Sequence, residues 1–274
     1  MNPLSPLLLF LVVLSVVSLP FLLACRDAHT LLALCAVLHL LLYTGVTWAA
    51  IVFFRRLDLG HQEHRIVAVP HRKAEKMYED LCPSLFSFLV QLGMRTFLPL
   101  LAVYFVLSYN RLLRTEILLV DWIKSLVVAV IATDFWYWFL HGCLHFPLLY
   151  RIHRVHHRHR NPVIVSEFHA SILEDLMFDK PTEHLGWITV VFCGLPVHPC
   201  LVIVLQWLLL LDQLNAHSGY DLPWWPDKAL PSIIPSARFH FFHHYENKGS
   251  FGVFLCVFDR MFGSFNVFQP FDSE

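Results

Sequence analysis

Apolar positions fall in long unbroken runs, and polar residues collect where the runs end. Pro3 to Cys25 and Leu31 to Phe54 are two such runs, separated by Arg26-Asp27-Ala28-His29-Thr30 and stopped by Arg55-Arg56. Each exceeds the roughly 20 residues that a helix needs to cross a bilayer's hydrocarbon, and a helix satisfies its own backbone polar groups there. The pattern therefore predicts a helical hairpin. The first run has no basic residue ahead of it and no small-x-small site behind it, so it reads as a membrane helix rather than a signal peptide. A second pair is predicted from about Ser84 to Tyr109 and from about Ile117 to Leu140, with Arg111 and Arg114 in the turn. Arg95, Asp121, Lys124 and Asp134 are costly in lipid and are expected to face the protein interior.

The last long apolar stretch, Gly186 to Leu211, is interrupted by Gly194-Leu195-Pro196-Val197-His198-Pro199. A continuous helix breaks there, leaving two half-length helices or a re-entrant hairpin. Residues 55 to 80 carry Arg55, Arg56, Arg65, Arg72, Lys73 and Lys76, which the positive-inside rule places in the cytosol. The chain then returns to that face at His141, and the segments 141–157 and 217–244 end on the same side. No strand pair and no internal repeat is visible. The fold class expected is all-α: an integral membrane protein with about four transmembrane helices, a broken or re-entrant hairpin, and a cytosolic histidine-rich helical cap.

Composition agrees with the pattern. Of 274 residues, 57% are hydrophobic and 15% charged, against about 45–50% and about 25% in a soluble domain. Disorder and collagen-like repeats are excluded. Lys+Arg 20 against Asp+Glu 21 gives a formal charge of -1, which offers no net field for a nucleic acid. The 7 Cys form no CxxC pair and are odd in number, so a disulfide framework or a thiolate zinc site is not expected.

The 18 His change the picture, because 13 of them lie between His141 and His244. His141 and His145 form an HxxxH pair, which shares one face of a helix. His153-Arg-Val-His156-His157 and His240-Phe-Phe-His243-His244 are two copies of HxxHH. The adjacent pair in each is splayed by about 100°, so one helix can serve two neighbouring metals. His217 opens His-Ser-Gly-Tyr-Asp221. Nine candidate nitrogen ligands exceed what one ion uses, while two six-coordinate ions accommodate them with positions to spare; imidazole suits iron as well as zinc. A structural zinc site would close with four ligands. The pattern thus favours a dinuclear site with open positions.

Two carboxylates are candidate catalytic groups. Asp134 lies seven residues before His141, two helical turns back on the same face. It is placed either to accept a ligand's second ring N–H or to pair with Lys124 or another cation. Asp221 is placed to ligate a metal, to hold a water, or to serve as a turn residue. Histidines outside the boxes, among them His159, His169, His184 and His198, read as solvated or hydrogen-bonded. Arg151, Arg154, Arg158 and Arg160 read as a phospholipid-facing patch, with a docking surface for an acidic redox partner as the alternative.

The boxes, together with Pro147-Leu-Leu-Tyr-Arg-Ile-His153, His217-Ser-Gly-Tyr-Asp-Leu-Pro223 and Phe258-Asp259-Arg260-Met-Phe-Gly263-Ser264, resemble the fatty acid hydroxylase/sterol desaturase superfamily. The motifs are most similar to its C4-methylsterol oxidase and sterol 25-hydroxylase branch. The resemblance spans roughly residues 117 to 265 and divides the chain into 1–116, membrane helices and a basic cytosolic loop, and 117–274, the histidine-box domain. It implies a multi-pass enzyme of the endoplasmic reticulum membrane with its site facing the cytosol. It also implies two Fe ions, dioxygen, electrons from NAD(P)H through cytochrome b5 or its reductase, and a sterol-like lipid to hydroxylate, oxidise or desaturate. The implied iron ligands are His141, His145, His153, His156, His157, His217, His240, His243 and His244, with Asp221 a further candidate; Asp259, Arg260 and Gly263 match the family's structural closing segment. Gly142, Phe146, Phe239 and Phe241 stand where the family commonly has Arg, His, His and Asp. Two rival readings follow from the residues: a histidine-rich membrane metal transporter, and an inactive sterol-binding relative.

Overall fold

The structure, a computed structural model, describes residues 28–81, 116 and 118–269. The spans expected at 3–25 and 84–109, and the turn with Arg111 and Arg114, lie outside the described residues. The named helices are α1 (Ala28–Leu59), α2 (His71–Leu81), α3 (Leu119–Leu144), α4 (Tyr150–His153), α5 (Lys180–Phe192), α6 (Pro199–Ser218), α7 (Ala237–Glu246) and α8 (Val257–Phe262). Among the described residues every regular element is helical, and extended pairing is confined to one isolated bridge between Arg65 and Tyr220.

Three of these helices are long and apolar enough to cross a membrane: Val37–Leu59 within α1, then α3 and α6. On α1, Tyr43, Val46, Ala50 and Phe54 are buried, while Val37, Leu41, Trp48 and Val52 are exposed. The inner stripe follows the helical period, and α1 lays it against α6. Leu119, Val120, Ile123, Val127 and Ile131 form the exposed side of α3. Its other side carries the small residues Ala129 and Thr133, against which α5 closes at Gly186. A Cβ on Gly186 would lie 2.0 Å from the Thr133 hydroxyl, so only glycine permits this approach. Small residues at the contact let two backbones come close where lipid gives little hydrophobic drive.

The expected break in the last apolar stretch is present at residues 193–198, between α5 and α6. His198 caps α6 by accepting the Cys200 N–H at Nδ1, 3.2 Å away, and Pro199 fills the first helical position. Two expectations are corrected. Arg55-Arg56 do not stop α1, which continues through them to Leu59. Asp121 and Lys124 pair with each other at 3.7 Å, at the start of α3, with side chains 32% and 57% exposed, rather than facing the interior. Within the basic segment 55–80 the Arg65 side chain is fully buried in an ion pair with Asp58 at 2.6 Å.

That ion pair fixes where α6 ends. Asp58 also accepts the hydroxyls of Tyr78 (2.8 Å) and Tyr220 (2.9 Å), and Arg65 donates to the carbonyls of Ser218 and Pro162. Gly219 ends α6 in the left-handed region (φ 77) with its α-carbon facing this cluster; a Cβ would meet Arg65 Nη1 and the Pro162 carbonyl, each at 2.8 Å. The Ser-Gly-Tyr that follows His217 is thus a C-cap moulded onto Arg65.

Candidate metal centre

The nine box and loop histidines arrive from four places: the end of α3, α4 with the 3-10 turn His156–Arg158, the end of α6, and α7. They converge as two adjoining groups. His141, His145, His153, His157 and His243 form one, and His156, His217, His240 and His244 the other, with the ligand atoms of each group within 4.8 Å of one another. Every i, i+4 pair (141/145, 153/157, 240/244) falls in a single group; for 141/145 and 240/244 helical geometry accounts for it. Each HxxHH box then sends its remaining ring across: His156 joins the second group and His243 the first. Adjacent residues therefore point to different groups, which is how each box serves both. The first HxxHH is not one continuous helix, since α4 ends at His153 and a 3-10 turn carries His156 and His157.

Several contacts match metal geometry. The Nε2 atoms of His141 and His153 are 3.1 Å apart, His157 and His153 2.9 Å, His217 and His156 3.0 Å, and His240 and His217 3.0 Å. Two nitrogens at right angles around an ion at about 2.1 Å would be about 3.0 Å apart. Within the same shell, Nε2 of His145 and of His243, Nδ1 of His157 and both ring nitrogens of His244 are buried with no hydrogen-bond partner among the described residues. Buried polar atoms without partners cost free energy, and a cation shared by the group removes that cost at the one nitrogen each ring offers it; His157 faces its group through Nε2, so its Nδ1 and the second nitrogen of His244 are not answered by that ion. Burial also holds the rings neutral: it draws His145 down to about 4, and takes His153, His157, His240, His243 and His244 well below the usual imidazole value, with neighbouring imidazoles adding to the effect. Neutral imidazole is the form that binds metal. An all-nitrogen donor set without thiolates fits iron and zinc alike.

The ring backs are held by groups that fix each tautomer. His153 Nδ1 lies 2.6 Å from Glu174 Oε1, and His217 Nδ1 lies 3.0 Å from Glu167 Oε2 and 2.9 Å from the Gln213 carbonyl. His141 Nδ1 meets the Phe251 carbonyl at 3.0 Å, and His243 Nδ1 the Gly249 carbonyl at 2.7 Å. Glu174 is aimed by a helical turn, Ile172–Glu174, whose cap Ser171 accepts the Glu174 N–H and donates to the Ile152 carbonyl, next to His153. Sequence reading missed both glutamates. The Ser171-Ile-Leu-Glu174 pattern marks a helix start, but nothing in it names His153 as the target.

The two aspartates expected at the site act elsewhere. Asp134 does not touch His141; its Oδ1 accepts the backbone N–H groups of Val253 (3.2 Å), Phe254 (2.8 Å) and Leu255 (2.9 Å). Asp259 accepts the N–H of Phe251 and of Gly252 and the Ser264 hydroxyl. Together they anchor the loop whose Phe251 carbonyl backs His141. Asp221 lies in neither histidine group and is engaged by Arg238 at 2.7 Å and by Lys228. Its neighbours are cations and its position is a surface corner, so neither a ligand nor a water-holding role is what its contacts provide. His159, His169, His184 and His198 stay outside both groups. Arg151, Arg154, Arg158 and Arg160 are all exposed.

Beneath the histidines, between α1, α3, α5 and α6, a cavity is lined by His141, His153 and His156 on one side and by Tyr43, Phe178, Leu209 and Leu210 on another. It joins the ligand shell to the membrane-spanning helices.

The chain is similar in sequence to known proteins over the region that carries these histidines. Methylsterol monooxygenase 1 of Danio rerio is 34% identical over 142 residues, 52% of this chain and 46% of that protein; its Rattus norvegicus counterpart is 36% identical over 146 residues, 52% and 46%. Very-long-chain aldehyde decarbonylase GL1-8 of Oryza sativa subsp. indica is 30% identical over 172 residues, 58% and 61%. The chain spans about half the length of the methylsterol monooxygenases it matches. No solved structure matches. The sequence model for fatty acid hydroxylase covers residues 126–264, from the middle of α3 to the loop after α8, and so takes in every histidine of both groups. On that coverage the chain belongs to the fatty acid hydroxylase family.

Proposed function

We propose that this protein is a membrane-bound non-haem di-iron oxygenase that hydroxylates, oxidises or desaturates a sterol or related lipid. The observation that carries it is the division of nine imidazoles into adjoining groups of five and four. Two irons bound there would supply activation of dioxygen and removal of hydrogen from an unactivated C–H bond. Among six-coordinate ions, groups of five and four leave about one and about two positions for exogenous ligands. Glu174 and Glu167 keep His153 and His217 in the tautomer that presents Nε2. Asp134 and Asp259 hold the loop that orients His141. Leu209, Leu210 and Phe178 give the cavity beneath the histidines an apolar side, which suits a lipid entering sideways from the bilayer, while Glu167, Glu174 and Gln206 line it as well. The cationic face of Arg151, Arg154, Arg158 and Arg160 suits an acidic electron carrier such as cytochrome b5, fed by NAD(P)H through its reductase. The basic segment after α1 supports a cytosolic orientation of that face, and the family resemblance supports an endoplasmic reticulum location.

A transporter reading fits less well. Transporter sites lie near the bilayer midplane, whereas His141 and His217 stand at the ends of their helices and the remaining seven ligands lie beyond the membrane-spanning segments. The experiment is metal content and turnover of the purified protein. Two irons per chain and oxygen from labelled dioxygen in a C4-methylsterol or a very-long-chain aldehyde product support the proposal and decide between those substrates. Metal flux into vesicles without oxygen consumption, or sterol binding without iron, overturns it.

A further inference from the structure

Any reaction of the proposed class consumes protons. For hydroxylation one C–H bond and the O–O bond break, one oxygen enters the product, and the other leaves as water after taking two electrons from a one-electron carrier and two protons from solvent. A reaction cavity lined by imidazoles, Glu167, Glu174 and apolar side chains needs a route for those protons and for that water. Asp212, on α6, is a candidate that nothing above uses. Among the described residues its carboxylate has no hydrogen-bond or ion-pair partner, and the carboxylates of Asp134, Glu167 and Asp227 act on it with like charge. Its accessible surface opens onto a small internal cavity of about 10 Å³, lined also by Asn215 and His240. That is room for about one water. Asn215 is 4% exposed and its Oδ1 is buried without a partner, so two polar side chains face a space of a water's size.

This cavity sits between two larger ones. Tyr137 and Gln213, hydrogen-bonded at 3.0 Å, form a wall that it shares with the cavity beneath the histidines. Pro235, Ser236 and Phe239 form a wall that it shares with a surface cavity of about 420 Å³ bordered by Lys228 and Arg260. Phe239 stands where the resemblance leads one to expect histidine.

We propose that these three cavities form the route by which protons reach and product water leaves the reaction cavity, with a water held by Asp212 and Asn215 at its midpoint. Asp212 is a positioning residue and proton carrier, Tyr137–Gln213 the inner gate and Phe239 the outer one. The proposal rests on the oxygenase reading for its purpose, but the hydrated route is tested without it. Hydroxyl-radical footprinting of the metal-free protein labels residues beside bound internal water. Half-buried Tyr137 and buried Phe239 are both expected to be labelled, and Asp212→Leu is expected to lower Tyr137 labelling several-fold while Asp212→Asn retains it. In the iron-loaded enzyme, Asp212→Asn is expected to slow turnover by about 10² and to raise the solvent isotope effect, and Asp212→Glu to restore most of the rate. Labelling that ignores Asp212→Leu, or Asp212→Asn turning over at the wild-type rate, overturns the route. An intact footprint in a protein without oxygenase activity supports the hydrated path and refutes only the function argued above.

Discussion

His153 and Glu174, both buried, meet at 2.6 Å across 21 residues of sequence, and this contact turns Nε2 of His153 toward His141 and His157. Glu174→Gln keeps the shape but removes the charge that favours the Nδ1–H tautomer. A loss of about 10–100-fold in metal affinity is expected from such a change behind a ligand. Metal titration of the metal-free variant measures it; an unchanged affinity means that Glu174 does not set the tautomer.

How much of this site sequence reveals follows from the range of the interactions. The i, i+4 histidine pairs are local, and the helical period places 141/145 and 240/244 each on one face, whereas His153 and His157 meet across the junction of a helix and a 3-10 turn. The break before Pro199 is local too, and it appears where Gly194 and Pro196 predict it. The backing groups are not local: Glu174 reaches His153 through a turn anchored on Ile152, and Arg65 finds Asp58 and the end of α6 at 153 residues' separation from Ser218. No periodicity encodes such contacts. Asp134 shows the opposite failure, since its spacing from His141 suggests a partner on the same face, while three backbone N–H groups from residues 253–255 take the carboxylate instead.

His156 and His198 are both buried, but only His156 belongs to a histidine group. His156→Ala is expected to abolish turnover and to remove metal from the group of four. His198→Ala is expected to leave metal content unchanged and to cost about 1 kcal/mol of stability, because it removes the cap of α6. Equal loss of metal in the two variants contradicts the division of roles.

Acid should destabilise the metal-free protein. In the unfolded chain imidazoles take up protons near pH 6.5, whereas burial holds His145 neutral to about 4 and the rings of His153, His157, His240, His243 and His244 neutral well below the usual value. As pH falls below about 6.5 the unfolded state binds more protons than the folded state, so stability falls with it, at up to about 1.4 kcal/mol per pH unit for each such ring. The loss continues through the folded value of each group, which for His145 is about 4. Thermal unfolding of metal-free protein between pH 8 and pH 5 reads the slope; a flat profile excludes neutral buried rings.

Arg65→Met leaves Asp58 buried with its two tyrosine hydroxyls and no cation. Removing one partner of a buried ion pair costs about 3–5 kcal/mol, and here the loss falls on the C-cap that follows His217. Reduced thermal stability together with weakened metal binding in the group of four is expected. Asp58→Asn combined with Arg65→Met should recover part of the stability, since no uncompensated charge remains; recovery of none would show that Arg65 acts by packing on Tyr220, whose ring centre lies 5.3 Å from its guanidinium.

Asp134→Asn and Asp134→Leu separate an acceptor from a charge. All three N–H donors converge on one oxygen, Oδ1, and an asparagine carbonyl oxygen offers the same lone pairs. If accepting those bonds is the whole role, Asp134→Asn costs little more than about 1 kcal/mol, the difference between a charged and a neutral acceptor. Asp134→Leu leaves three backbone donors without a partner, each costing about 1–3 kcal/mol, and frees the loop whose Phe251 carbonyl backs His141. The leucine variant should therefore lose metal from the group of five while the asparagine variant keeps it. A large metal loss in Asp134→Asn would instead show that the negative charge itself, 119 residues from Val253 in sequence, supports the cations.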